Sequence, residues 1–300
     1  MAQHSRVELL KHIEDEWVRF RGTIEERISQ YVDDIGETEI VEATKYIYSG
    51  GKRFRGYLTI KTATILGANP DNAVDAAVAV ELVHASSLAL DDIIDEDTTR
   101  RGKPAAWIEI GLKKTVMVSN LLIPFAQKIV HHRYGIEALL RTVKAWMDIS
   151  RGEVLDAFSD PYRAEENLYL DVIKLKTGSL FRLACELGAI AARKLELLDK
   201  LSKYGEILGM IYQIADDIND IDKIKTKPEP SLLLFQKWIK NNIDTALEKI
   251  AEYLKKIEKI VESLELGEKE KEVLKYIPIF ILSKIFSGRK DIPARNLLLS

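Results

Sequence analysis

Apolar residues recur along this chain at spacings of three and four, the period of a helix with one buried face, over most of its length. The repeat is densest from Ala73 to Leu90, where Ala73, Ala76, Ala77, Val80 and Val83 share a face and predict a core helix. No Gly-, Ser- or Pro-rich linker interrupts the pattern, so an all-α fold is expected, with residues 1–300 as a single domain. Pro70, Pro104, Pro161, Pro228, Pro230, Pro278 and Pro293 are read as helix boundaries. Pro124 lies inside the apolar stretch Val116 to Val130 and is expected to kink or interrupt a helix. From Asn241 to Lys275, Lys and Glu recur at helical spacing, predicting a solvated helix pair.

Composition narrows the function classes. A chain of 300 residues with 46% apolar content can bury a large core. Its net charge of -3 gives no electrostatic reason to bind nucleic acid, and no nucleic-acid motif is present. The single cysteine, Cys185, excludes an intramolecular disulfide framework, fits a reducing cytosol, and is read as a core residue. The charged N-terminus lacks an apolar leader and no run reaches the length of a membrane span. A soluble, unprocessed cytoplasmic protein with at most peripheral membrane contact is therefore expected.

Two copies of one carboxylate pattern carry the chemistry: Asp91-Asp92-Ile93-Ile94-Asp95 and Asp216-Asp217-Ile218-Asn219-Asp220. Asp91 and Asp95 are one helical turn apart, with a rise of roughly 6 Å between them. Clustered carboxylates repel unless a cation joins them. A few hard oxygen ligands suit Mg²⁺, whose shell is ordinarily completed by water and substrate phosphate. The alternative is a pair of solvated acidic faces. Against it stand the neighbouring basic motifs: Gly50-Gly51-Lys52-Arg53-Phe54-Arg55, whose three cations can wrap a diphosphate, and Arg100-Arg101-Gly102. His84 lies two turns before Asp91 on the same face. In Leu175-Lys176-Thr177-Gly178-Ser179, the glycine costs a helix about 1 kcal/mol relative to Ala. That cost predicts a local distortion exposing carbonyls beside Lys176 and Thr177. Gln213 precedes Asp216 by three residues.

The order GGKRFR, HASSLALDDIID, RRG, KTGSLF, YQIADDIND resembles the trans-prenyltransferases, the isoprenyl diphosphate synthases, and at SLALDD, LIP and KTGSLF their archaeal hexaprenyl branch. The resemblance implies a homodimeric bundle of long helices around a deep apolar cavity, with the two Asp motifs facing each other at its mouth. It implies Mg²⁺ held by Asp91, Asp95 and Asp216, with Asp92, Asp217 and Asp220 in support. Lys52, Arg55, His84 and Arg101 match the isopentenyl diphosphate site. Arg100, Lys176, Thr177 and Gln213 match the allylic diphosphate site, and Lys227 and Lys237 align loosely with two distal lysines of the family. The implied reaction ionises the allylic diphosphate, adds the isopentenyl double bond at C1 and loses a proton to pyrophosphate. Ser119-Asn120 and Pro230-Ser231-Leu232 depart from the family pattern and put the lid over the allylic diphosphate in doubt. A non-catalytic subunit of the same fold is the competing reading. The intact second motif argues against a terpene cyclase.

Each further isoprene unit gains roughly 4 kcal/mol by burial at about 0.8 kcal/mol per carbon, so elongation needs a wall. In the family that wall is often a bulky residue five before the first Asp. Here the position is Ser86, with Ser87 after it and Val83 a turn deeper, so a product longer than fifteen carbons is expected. Hexaprenyl (C30) from geranylgeranyl diphosphate is preferred, with C20 or C25 as alternatives. The two serines can equally serve helix packing, with Trp107, Leu121, Leu122, Phe125 or Trp146 as floor or core.

Overall fold

Residues 2–161, 163, 165, 167–225 and 230–288 are described by the computed structural model. Lys227, Pro228 and Pro293 lie outside them. Twelve α-helices make up almost all of the described chain: α1 (Ala2–Asp33), α2 (Thr38–Tyr48), α3 (Phe54–Ile65), α4 (Asp71–Ile94), α5 (Leu112–Tyr134), α6 (Ile136–Phe158), α7 (Leu168–Ile173), α8 (Ser179–Ala191), α9 (Leu198–Asp220), α10 (Pro230–Trp238), α11 (Ile243–Glu262) and α12 (Glu268–Ile285). The described strands are β1 (Thr99–Arg100) and β2 (Lys103–Pro104), one antiparallel pair. The chain divides into two compact units. The first comprises Trp17–Met147 with Leu183–Leu198; the second comprises Met1–Glu16, Asp148–Arg182 and Asp199–Ser300.

In the first unit α4 packs between α3 and α5. Ala73, Ala76, Ala77, Val80 and Val83 are all fully buried, as their spacing predicts. Phe20, Ile24, Ile28 and Val32 of α1 form a second row of core residues four apart. Close packing against α3 depends on Gly188, where a Cβ would stand 2.6 Å from the Thr59 carbonyl oxygen. Cys185 is buried, with its thiol pushed up to about 12 chiefly by burial, in keeping with a core role.

In the second unit α9 approaches the start of α8 through Gly205 and Gly209; a Cβ on Gly205 would meet the Phe181 carbonyl oxygen at 2.4 Å. Helices α11 and α12 pack on each other, and Ile250, Ile257 and Val261 of α11 and Leu274, Ile277 and Ile281 of α12 are buried. Their Lys and Glu residues occupy the remaining faces.

Three expectations need correction. Pro278 lies inside α12 rather than at a boundary, where it is buried. Of the two outcomes expected at Pro124, the interruption does not occur: α5 continues through it. Among the described residues one helix, α4, is long and apolar enough to cross a membrane, but 78% of its apolar window is buried inside the fold, which is the environment of a core helix.

Candidate active site

The basic motifs of the first unit meet around α4. Arg53, at φ 55° before α3, is buried: Nη2 donates to the Tyr48 carbonyl at 2.5 Å and Nη1 to Glu81 Oε2 at 3.4 Å. Glu81 Oε1 also accepts from the Gly56 amide at 2.8 Å. Arg53 is thus a structural cation, so only Lys52 and Arg55 of the three remain for a ligand. Lys52 is exposed, and Arg55 Nη1 donates to His84 Nε2 at 3.0 Å. Burial, then Arg55, Arg101, Arg53 and Arg100, hold His84 well below the usual imidazole range. It is neutral at neutral pH, and with Nε2 accepting from Arg55 its proton is on Nδ1.

The first carboxylate cluster closes α4, with Asp95 as its C-cap. Asp91 and Asp95 are half-buried, whereas Asp92 is 2% exposed. Arg100 Nε donates to Asp92 Oδ1 at 2.7 Å, Nη2 reaches the same oxygen, and a longer contact of 3.4 Å runs to Asp97 Oδ2. Burial raises the Asp92 carboxyl although Arg100 pulls it down. Arg100 and Arg101 are placed by the β1–β2 hairpin, whose two turn residues, Arg101 and Gly102, have φ 55° and 74°, the left-handed pair of a type I′ turn. Arg101 Nη1 donates to the Ser49 carbonyl at 3.0 Å. Its guanidinium lies over Gly51, where a Cβ would be 2.8 to 2.9 Å from Nη1, Cζ and Nη2. A cleft of about 260 Å³ opens here, lined by Gly50, Gly51, Asp92, Arg100, Arg101 and Lys103 among others.

Of the expected chain-length residues, Val83 and Ser86 are fully buried. Ser86 Oγ donates to the Ser119 carbonyl at 2.8 Å, tying α4 to α5, and Ser87 Oγ donates back to the His84 carbonyl at 2.9 Å. Leu121 is 38% exposed, and the Trp107 ring N–H donates to the Asp97 carbonyl at 2.7 Å.

The second unit carries the remaining motif residues. The predicted distortion around Gly178 is a π-helical turn over Lys174–Gly178, of the kind that often marks functional positions. The Thr177 carbonyl does not open outward as expected; it packs against α9, 3.0 Å from where a Cβ of Gly209 would lie. Lys176 Nζ is gripped by Asp156 Oδ2 at 2.7 Å and Glu153 Oε2 at 2.9 Å. Thr177 Oγ1 donates to Gln213 Oε1 at 2.7 Å, Gln213 Nε2 donates to Asp217 Oδ1 at 2.9 Å, and Tyr169 donates its hydroxyl to Asp217 Oδ2 at 2.6 Å. Both Asp217 oxygens are therefore engaged. Burial pushes its carboxyl up to about 8, against the two hydrogen bonds and with help from Asp216 and Asp220. Asp216 and Asp220 are half-buried near the end of α9. Lys237 Nζ donates to the Pro161 carbonyl at 3.1 Å, and Lys227 is outside the described residues.

Glu153, Asp156, Tyr169 and Glu81 were not singled out from sequence. Glu153 and Asp156 lie at i, i+3 on α6, a legible spacing, but only the fold shows that they grip Lys176. Among the described residues no group of three or more His, Cys, Asp and Glu converges to hold a metal ion unaided. The half-buried Asp91 and Asp95 still fit Mg²⁺, which takes one or two carboxylates and draws its other ligands from water and phosphate.

Residues 37–228 match the polyprenyl synthetase family. The chain is similar to a hexaprenyl pyrophosphate synthase of Saccharolobus solfataricus, 32% identical over 268 residues, 88% of this chain and 93% of that protein. It is also similar to a geranylfarnesyl diphosphate synthase of Methanosarcina mazei, 34% identical over 214 residues, 70% of this chain and 71% of the relative. A polyprenyl synthetase structure from Streptomyces coelicolor superposes with a TM-score of 0.81 at 20% identity, over 90% of this chain and 99% of the other; at that identity the likeness concerns the fold.

Proposed function

The chain belongs to the polyprenyl synthetase family of prenyltransferases, and from that premise we propose that it is a Mg²⁺-dependent trans-polyprenyl diphosphate synthase with residues 1–300 as one catalytic domain. It condenses isopentenyl diphosphate with geranylgeranyl diphosphate, ending at hexaprenyl diphosphate (C30). The similarity to the S. solfataricus hexaprenyl enzyme over most of both chains supports this length, while the geranylfarnesyl relative keeps C25 as the alternative outcome. The observation that carries the reading is the cationic cleft of Arg100, Arg101 and Lys103 beside the first aspartate cluster, a cavity suited to a diphosphate.

In this reading Asp91, Asp95 and Asp216 bind Mg²⁺, with Asp92, Asp217 and Asp220 holding neighbouring groups in place. The metal supplies charge neutralisation for the departing diphosphate. Lys52, Arg55, His84 and Arg101 bind isopentenyl diphosphate. Arg100, Lys176, Thr177, Gln213, Lys227 and Lys237 bind the allylic diphosphate. The allylic C–O bond breaks, its electron pair leaving with pyrophosphate; the isopentenyl double bond attacks C1, and pyrophosphate takes the proton lost as the new double bond forms. No protein nucleophile is required, because the chain's contribution is fixed positive charge and exclusion of water. Val83, Ser86 and Ser87 govern product length.

The enzyme is proposed to act as a cytoplasmic homodimer. Exposed Ile108, Leu112 and Met117, together with Ile136, Leu140 and Met147 in the first unit, support a second copy as partner.

The test is to incubate purified protein with Mg²⁺, labelled isopentenyl diphosphate and, separately, dimethylallyl, farnesyl or geranylgeranyl diphosphate, then size the dephosphorylated products. A ladder ending at C30 and fastest from geranylgeranyl diphosphate is expected. A stop at C20 or C25 overturns the length, and no product from any starter overturns the enzymatic reading.

A further inference from the structure

Tyr169 lies outside every motif that carries the proposed chemistry, yet it is one of the largest fully buried side chains. Its ring stacks on Trp238 with centroids 5.0 Å apart and tilts against Phe235 at 5.2 Å, so α10 fixes it from one side. Its hydroxyl donates to Asp217 Oδ2 at 2.6 Å. From Asp217 the bonds continue in one direction. Gln213 Nε2 donates to Oδ1 at 2.9 Å, and that orientation turns the Gln213 carbonyl toward Thr177, which donates to it at 2.7 Å. In this arrangement Asp217 accepts from both Tyr169 and Gln213, which leaves the Gln213 carbonyl facing the Thr177 hydroxyl. With its hydroxyl committed to Asp217, Tyr169 holds that carboxyl in one rotamer.

We propose that Tyr169 is a positioning residue for the allylic diphosphate site, acting through Asp217 to fix the Gln213 amide and the Thr177 hydroxyl in one orientation. The proposal rests on the assignment of Gln213 and Thr177 to that site. It adds a residue that touches no substrate and ties the site to the aromatic cluster of α7 and α10. Groups that orient metal-ligating residues from behind ordinarily cost 10- to 100-fold in affinity or activity when removed, and a loss on that scale is expected here.

The test uses Tyr169→Phe in the full chain, which keeps the ring on Trp238 and removes only the hydroxyl. Calorimetry with Mg²⁺ and the non-reacting thiolo analogue of farnesyl diphosphate reads the allylic site without turnover, and steady-state rates give KM for each substrate. The expected result is analogue binding weakened about tenfold or more, with KM for isopentenyl diphosphate within about twofold of wild type. Gln213→Ala combined with Tyr169→Phe is expected to be no weaker than Gln213→Ala alone, because both interrupt one chain of bonds. Unchanged analogue affinity in Tyr169→Phe overturns the proposal, as do additive losses in the double variant. A general loss of packing would move both KM values together, which also overturns it. If Tyr169→Phe does not fold, Asp217→Asn, which cannot accept from Tyr169 and Gln213 on both atoms, must show the same selective loss. If the wild-type protein does not bind the analogue at all, it is the prenyltransferase reading that falls.

Discussion

Gly51→Ala separates two effects that a glycine substitution usually mixes. Gly50 and Gly51 both have positive φ, 71° and 99°, so Ala at either position carries a backbone penalty of roughly 1–2 kcal/mol. Only at Gly51 does the new methyl meet Arg101: its guanidinium atoms would be 2.8 to 2.9 Å away, against 3.6 Å to the Arg101 Cδ for Gly50→Ala. The guanidinium must therefore retreat in Gly51→Ala, losing its 3.0 Å bond to the Ser49 carbonyl. A hydrogen bond to a charged group is worth about 1.5–3 kcal/mol, less where water competes. Taking about 1.4 kcal/mol as the share lost to a bound diphosphate, KM for isopentenyl diphosphate should rise about tenfold. Gly50→Ala should leave it near wild type. Initial rates at varied isopentenyl diphosphate and saturating allylic substrate, with thermal melts of both variants, make the comparison. Equal KM values for the two variants at similar stability would refute the placement of Arg101 as a substrate cation.

Other outcomes follow from the same geometry. Ser86→Phe inserts a ring where Ser86 bonds the Ser119 carbonyl and should shorten the product, read by chromatographic sizing; an unchanged distribution removes Ser86 from the length-setting wall. His84 titrates well below its ordinary 6.5 in the folded chain, so the unfolded chain takes up the extra proton as pH falls through that value. Its contribution to stability is complete above about 6.5 and declines below it, by about 1 kcal/mol in the first pH unit. Denaturant melts of wild type and His84→Asn across that window should converge as pH falls. Gly188→Ala forces a methyl to within 2.6 Å of the Thr59 carbonyl and should cost about 1–3 kcal/mol, visible as a lower Tm. Chelation of divalent cations should abolish turnover, with Mg²⁺ restoring it.

The helices of the core were legible because burial follows a simple period: α4 carries its apolar face where the spacing of Ala73, Ala77 and Val80 puts it. The distortion at Lys174–Gly178 was also visible, since a glycine inside an apolar helix has a local cost that the sequence displays. Its consequence was not, because the direction of the Thr177 carbonyl depends on Gly209, a partner on another helix. The same limit hid Tyr169 and the Glu153 and Asp156 grip on Lys176, where each partner is an ordinary residue in its own segment. Arg53 was grouped with its neighbours because residue type alone does not show that Glu81 and the Tyr48 carbonyl take up its guanidinium. Pro278 sits buried inside α12 against a reliable local signal.

The two carboxylates on Lys176 change what binding at that lysine means. The ammonium is already neutralised by Asp156 and Glu153, so an incoming anion must take the place of a resident one. Occupancy there is an exchange of counter-ions, with the gain set by the difference between a multivalent diphosphate and two tethered carboxylates rather than by the full attraction of a bare cation. On the proposed function, the same carboxylates would re-form their bonds to the lysine once pyrophosphate leaves.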